Sequence, residues 1–156
     1  MQYQAPVKDM LFVMEHLADL PALTTLPGLE DFDLDTASAV LEESAKFCQD
    51  VVAPLNATAD KQPSRWQEGE VYTSAGFQAA YRQFSANGWQ SLSHPTEYGG
   101  QGLPQLLTTA CHEMLHAANM SLALCPMLTD GAVEALLTAA SPAWRQKYVP
   151  ALVAGT

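Results

Sequence analysis

Apolar residues recur every three or four positions through most of this chain, and this spacing constrains the fold more than any other feature. Such a period places apolar side chains along one face of an α-helix, whereas a half-buried strand requires apolar and polar residues to alternate. No segment of the sequence shows a convincing alternation, and no internal repeat is visible. The sequence therefore predicts an all-α domain, built as a bundle of roughly six helices.

The apolar stripes and the turn residues between them set the expected helix boundaries. Pro54 is expected to kink or end the second helix, and Gly88 to stop the third in the left-handed conformation after a Ser74 cap. The fifth helix is apolar almost all round and is expected to be buried at the centre, while Trp144, Tyr148 and Leu152 should point inward from the last. The helices are predicted at about 7–20, 35–56, 74–88, 104–118, 121–140 and 142–155, with long loops at 21–33 and 56–73.

Length and composition fit one domain, covering residues 1–156. A chain of 156 residues is long enough to bury a core without disulfides. Hydrophobic residues make up 48% of the chain and charged residues 15%, which excludes intrinsic disorder. So low a charge content also indicates that some apolar surface is covered by another part of a larger protein.

Charge, cysteines and the N-terminal residues exclude further classes. Lys and Arg total 7 against 17 Asp and Glu, so the net charge of −10 repels nucleic acid. The odd number of widely spaced cysteines, Cys48, Cys111 and Cys125, is typical of reduced thiols and not of a disulfide framework. The N-terminal residues lack a signal-peptide pattern, and no apolar run is long enough to predict a membrane span. We therefore expect a cytoplasmic protein.

One metal motif is present in full. Residues 112–116 match H-E-x-x-H, in which His112 and His116 would bind zinc while Glu113 acts as general base. Projected on a helix, both histidines fall opposite the apolar stripe, on a polar face. The extended motif is missing, and the one remaining third ligand, Glu134, lies in a segment expected to be buried. We expect no metal site, and a small zinc metallopeptidase stays an alternative.

The most turn-rich stretch of the chain contains Gly99, Gly100 and Gly102. Glycines before a helix can place backbone amides around a phosphate, but the Walker lysine and a preceding strand are both missing here. A tight loop that joins two helices and lets backbone approach closely is therefore favoured. The sequence also lacks a nucleophile elbow and paired carboxylates, so no residue is assigned a catalytic role.

The same stretch resembles a known family. Residues 95–104 read Pro-Thr-Glu-Tyr-Gly-Gly-Gln-Gly-Leu-Pro and are similar to the Pro-x-Glu-Tyr-Gly-Gly-x-Gly signature in the N-terminal domain of acyl-CoA dehydrogenases. Residues 3–10 look like the opening of one large subgroup, which includes the methylmercaptopropionyl-CoA dehydrogenases. The resemblance covers nearly the whole chain, with further matches at residues 53–56, 76–77, 88–89 and 147–155.

This resemblance implies a three-domain enzyme of which the chain is the N-terminal helical domain, followed by a middle β domain and a C-terminal helical bundle. The family removes an α-proton from an acyl-CoA thioester with a glutamate and passes the β-hydride to FAD, forming an enoyl-CoA. That glutamate lies in the C-terminal half of family members, so the 156-residue piece alone is expected to be inactive and to bind no FAD. Implied partners of the complete form are the acyl-CoA substrate, an electron acceptor and further copies in a homo-oligomer.

The resemblance also implies a wall of the acyl-chain pocket on the fifth helix. Gly131 aligns with a family glycine after the segment that floors this pocket, and the implied substrate-binding residues are Leu122, Ala123, Pro126 and Met127. Plain core packing is the competing interpretation of these four residues. In relatives an acidic residue occurs at or near Glu113 without histidine ligands, which argues against zinc. A free-standing acidic helical interaction module remains the third alternative.

Overall fold

The computed structural model describes residues 3–156, and it is an all-α domain with one small hairpin. The helical class predicted from the apolar spacing is confirmed. The α-helices are α1 (Val7–His16), α2 (Leu20–Leu23), α3 (Leu34–Phe47), α4 (Ala53–Lys61), α5 (Phe77–Ala86), α6 (Gln105–Ala118), α7 (Met120–Ala139) and α8 (Pro142–Ala154). A π-helical turn at Cys48–Val52 and 3₁₀ turns at Trp89–Ser91 and Thr96–Tyr98 complete the helical elements, and the strands are β1 (Arg65–Gln67) and β2 (Glu70–Tyr72).

The first predicted helix and the loop after it differ from the structure. α1 ends at His16, because Asp19 takes a left-handed conformation with φ of 52°. The short α2 then occupies the beginning of the region predicted as loop. Asp33 caps α3 through its Oδ1, which accepts a hydrogen bond from the Thr36 amide at 2.7 Å.

Pro54 does not end the second predicted helix. The π-helical turn joins α3 directly to α4, and Pro54 occupies the first turn of α4, where the pyrrolidine ring is tolerated. Helical structure therefore continues to Lys61, so residues 56–61 were wrongly predicted as loop.

The antiparallel hairpin was not predicted from the sequence. Glu68 and Gly69 form its two-residue connection, both with positive φ (52° and 88°), and Gln67 pairs with Glu70. Each strand has three residues, all exposed, so neither shows the apolar alternation that reveals a half-buried strand.

The main core joins α1, α3, the π-helical turn, α5, α6 and the first turn of α7. Its most completely buried large side chains include Leu41, Leu107 and Met114. Asn119 separates α6 from α7 with extended backbone and caps α7, since its Oδ1 accepts from the Leu122 amide at 3.2 Å. A second, smaller apolar cluster between α7 and α8 consists of Val133, Val149 and Val153.

The prediction that α7 is buried all round is wrong. Four of its residues are buried, whereas Leu128 is 67% exposed and Leu124 and Met127 are also exposed. We call Leu124, Met127 and Leu128 the outward face of α7. Among residues 3–156, α7 alone is long and apolar enough to cross a bilayer by length and composition, which is weak evidence and differs from the expectation that no segment meets this test.

The inward direction predicted for α8 is also wrong at its aromatic residues. Trp144 is 55% exposed and stacks on the exposed Tyr148, with ring centroids 5.2 Å apart. Val149 and Val153 are buried instead, and Leu152 is partly buried against them. The aromatic side chains therefore add to the apolar surface beside α7.

Candidate functional site

α7 carries the four residues predicted to line a substrate pocket, and the structure separates them. Ala123 is 0% exposed and Pro126 is buried, both facing the domain interior. Met127 lies on the outward face, 41% exposed. Leu122 is buried and lines a cavity. Only Leu122 and Met127 thus border space that another molecule can enter.

The cavity beside Leu122 has a volume of about 590 Å³ and lies between the hairpin, α5 and the start of α7. This size is within the range that small-molecule sites occupy. Phe77, Tyr81 and Leu122 give it an apolar wall, and Arg82 adds a cationic group. The remaining lining residues are Ala59, Pro63, Ser64, Thr73, Ser74, Gln78, Ser121 and Cys125.

Sequence reasoning did not identify the α5 side of this cavity. Phe77 and Tyr81 fall on the apolar stripe of α5, which predicts core packing, and both are only partly buried. Burial raises the pKa of the Tyr81 phenol above its usual value, with a further contribution from the nearby Cys125 and Asp130. Tyr81 therefore stays protonated at neutral pH. The one sequence signal for this side was the long polar stretch after residue 56, since long loops are often functional.

Asp130 is the centre of a polar cluster inside the domain. Its Oδ1 accepts hydrogen bonds from His94 Nε2 at 2.9 Å and from Gln90 Nε2 at 2.5 Å. Its Oδ2 is buried without a hydrogen bond, and His112 Nε2 lies 3.4 Å from it. The carboxylate therefore links α7 to the segment after α5 and to α6.

The two histidines of the H-E-x-x-H motif are engaged by other groups. His112 points at Asp130, and its side chain is only 24% exposed, so it does not lie on a solvated polar face as predicted. His116 Nδ1 lies 2.6 Å from the His112 carbonyl oxygen. Glu134, the third ligand considered, is exposed and accepts a hydrogen bond from Thr138 Oγ1. Within residues 3–156 no group of three potential ligands is placed to hold a metal ion.

Burial also sets the protonation of His112. Loss of solvent lowers its pKa below the usual 6.5, His94 and His116 lower it further, and the Asp130 carboxylate opposes this effect. His112 is therefore neutral at physiological pH and can donate one N–H toward Asp130.

The glycine-rich loop folds back on itself. A Cβ at Gly100 would collide with the backbone of His94, so this glycine permits a close approach within the loop. The Gly102 amide donates to the His94 carbonyl at 3.1 Å, and the Leu103 amide donates to the Leu92 carbonyl at 2.8 Å. These contacts use the loop's own backbone groups, so the loop is not shaped as a phosphate cradle.

The cysteines are all free thiols, as predicted from their number and spacing. Burial raises the pKa of Cys48 to about 12 and that of Cys111 to about 11, so both remain protonated and unreactive in the core. Cys125 is exposed at the cavity wall.

Comparison with known proteins identifies the chain's relatives. The sequence profile of "Acyl-CoA dehydrogenase, N-terminal domain" matches residues 35–156. The 3-methylmercaptopropionyl-CoA dehydrogenase of Ruegeria pomeroyi is 43% identical over 155 residues, which cover 99% of this chain and 26% of that enzyme. The chain thus spans about a quarter of the length of this curated relative. On the strength of the profile match, which extends over most of its residues, the chain belongs to the acyl-CoA dehydrogenase family.

Proposed function

We propose that this chain acts as the N-terminal helical domain of a flavin-dependent acyl-CoA dehydrogenase that oxidises an acyl-CoA thioester to an enoyl-CoA. The observation that carries the proposal is the 43% identity to the Ruegeria pomeroyi dehydrogenase across 99% of the chain. In such an enzyme, FAD would serve as the hydride acceptor. The glycine-rich loop forms no phosphate cradle, and on the resemblance to the family we assign the FAD contacts, the catalytic glutamate and the electron acceptor's surface to other parts of the protein.

The role of the domain is to contribute one wall of the acyl-chain pocket. Met127 supports this role best among the four implied residues, because it is exposed on α7 next to Leu124 and Leu128. Leu122 contributes from the adjoining cavity. The packed environment of Ala123 and Pro126 favours the core interpretation for those two positions, since side chains with no exposure have no surface left for a ligand.

The exposed apolar surface supports a domain that works inside a larger protein. Leu128 and Trp144 are both more than half exposed, on neighbouring helices that pack together. Large apolar side chains exposed on two adjoining helices favour an interaction site. We propose that a middle β domain and a C-terminal bundle cover it, in a cytoplasmic homo-oligomer. The free-standing interaction module and the zinc peptidase gain no comparable support.

A chimera tests the proposal. This chain replaces the aligned 155-residue segment of the Ruegeria pomeroyi dehydrogenase, and the purified chimera is assayed for bound flavin and for reduction of that flavin by 3-methylmercaptopropionyl-CoA. We expect flavin incorporation and substrate-dependent bleaching of the flavin absorbance. As the matched control, the same segment is replaced by a helical domain of similar length from outside the family. A folded chimera that binds flavin and is not reduced by any acyl-CoA contradicts the proposal.

A further inference from the structure

Asp130 holds α7 through two separate elements of the domain. From the segment after α5, Gln90 and His94 donate to its Oδ1, and from α6, His112 faces its Oδ2. The side chains of His94 and Asp130 are 10% and 26% exposed, so water competes weakly for these bonds. Hydrogen bonds to an ionised carboxylate are stronger than those between neutral groups.

The position of this contact along α7 coincides with a weak point in the helix. Pro126 lies inside α7 and has no N–H to donate to the carbonyl four residues earlier, that of Leu122. Gln90 Nε2 reaches both the Pro126 carbonyl oxygen, at 3.3 Å, and Asp130 Oδ1. One side chain from outside the helix thus binds two groups that are one turn apart, immediately after the missing hydrogen bond.

The rotation of α7 about its own axis determines which of its residues face the domain and which face away. Ala123, Pro126 and Asp130 follow at steps of three and four and share the face that contacts the domain, so Leu124 and Leu128 face away. Met127, four residues after Ala123, lies at the edge between the two sides and is 41% exposed. A turn of the helix about its axis would bury part of the outward face and expose the polar cluster.

We infer that Asp130 is a positioning residue. Its hydrogen bonds with Gln90 and His94, which we call the clamp, fix the rotation of α7 about its axis and so keep the outward face exposed. The connection of that face to an acyl chain rests on the proposed function, whereas the clamp itself does not. The titratable groups that face the carboxylate are His94 from the preceding loop, His112 from α6 and Tyr81 from α5.

Amide hydrogen exchange on the 156-residue chain tests the clamp without any acyl-CoA or flavin. In Asp130→Asn, we expect the protection factors of α7 to fall at least about tenfold while those of α3 stay unchanged. Glu134→Gln is the matched control, since it removes one charge from the exposed side of the same helix and should leave exchange unaltered.

A second variant keeps the test decisive if Asp130→Asn does not fold. Gln90→Leu removes the bonds to Pro126 and Asp130 but leaves the carboxylate with His94, and we expect a smaller loss of protection confined to α7. Equal losses in α3 and α7, or no change in α7, would overturn the inference. Because exchange is read on the free chain, these results are independent of whether the dehydrogenase chimera is active.

Discussion

His112 Nε2 lies 3.4 Å from Asp130 Oδ2, so the first histidine of the H-E-x-x-H motif faces a carboxylate of the next helix and not a metal ion. This contact joins α6 to α7 across the domain interior.

The burial of His112 makes the stability of the chain depend on pH. Its pKa is lowered in the folded state, so between that value and 6.5 the unfolded chain binds more protons than the folded chain. The contribution of neutral His112 is therefore complete above pH 6.5 and is lost as the pH falls below it. Thermal unfolding measured from pH 8 to pH 5 should show a decline that is weaker in His112→Gln. His16→Gln, at an exposed histidine, should reproduce the wild-type profile.

Zinc should neither bind stoichiometrically nor stabilise the chain. His112 Nε2 faces Asp130 Oδ2 at 3.4 Å, and within residues 3–156 no group of three potential ligands is placed to hold a metal ion. Elemental analysis after dialysis should find well below one zinc per chain, and added zinc should leave the melting temperature unchanged. One zinc per chain that disappears in His116→Ala would reverse this conclusion.

Enlarging Ala123 should destabilise the domain. Because Ala123 is 0% exposed, the added volume in Ala123→Leu has no free space, and overpacking of this kind costs roughly 1 to 3 kcal/mol. Urea denaturation gives the difference in the free energy of unfolding. An equal stability of variant and wild type would indicate that a cavity borders this position and would restore it to the pocket wall.

Replacing Gly100 and Gly131 by alanine should change the free energy of unfolding in opposite directions. Gly100→Ala places a methyl group against the backbone of His94 and should lower the free energy of unfolding by more than about 1 kcal/mol. Gly131 lies within α7 with open space around its Cβ position, so Gly131→Ala should raise stability by up to ~1 kcal/mol. Chemical denaturation of the two variants side by side provides the check. A stable Gly100→Ala would contradict the close contact in the loop, and a destabilised Gly131→Ala would contradict the open space beside α7.

The sequence predicted best where one face of a helix is apolar and the other is polar. On α6, Leu107, Met114 and Leu115 are buried as their spacing indicates. α7 is apolar on every side, so its period carries no information about which side meets the domain, and its burial was overestimated. A helix that is buried on every side and a helix that exposes one apolar side can therefore have the same composition.

The polar cluster lay beyond the reach of sequence patterns for a different reason. His94 and Asp130 are 36 positions apart, and no spacing rule relates residues on a loop to residues on a helix that packs over it. The cavity could not be predicted for the same reason, because its lining residues Phe77 and Leu122 come from separate elements. The family signature at residues 95–104 located the domain correctly, but it contains none of the residues that border the cavity.

The most direct test of the account is the chain-length preference of the dehydrogenase chimera when the outward face of α7 is enlarged. Met127→Phe should lower the ratio of kcat/KM for a long acyl-CoA to that for a short one by about tenfold, because each excluded methylene is worth on the order of 1 kcal/mol or more. Leu17→Phe, at an exposed apolar position just after the C-terminal end of α1, should leave the ratio unchanged. An active chimera with the same ratio in wild type, Met127→Phe and Leu17→Phe would contradict the claim that α7 forms a wall of the acyl-chain pocket.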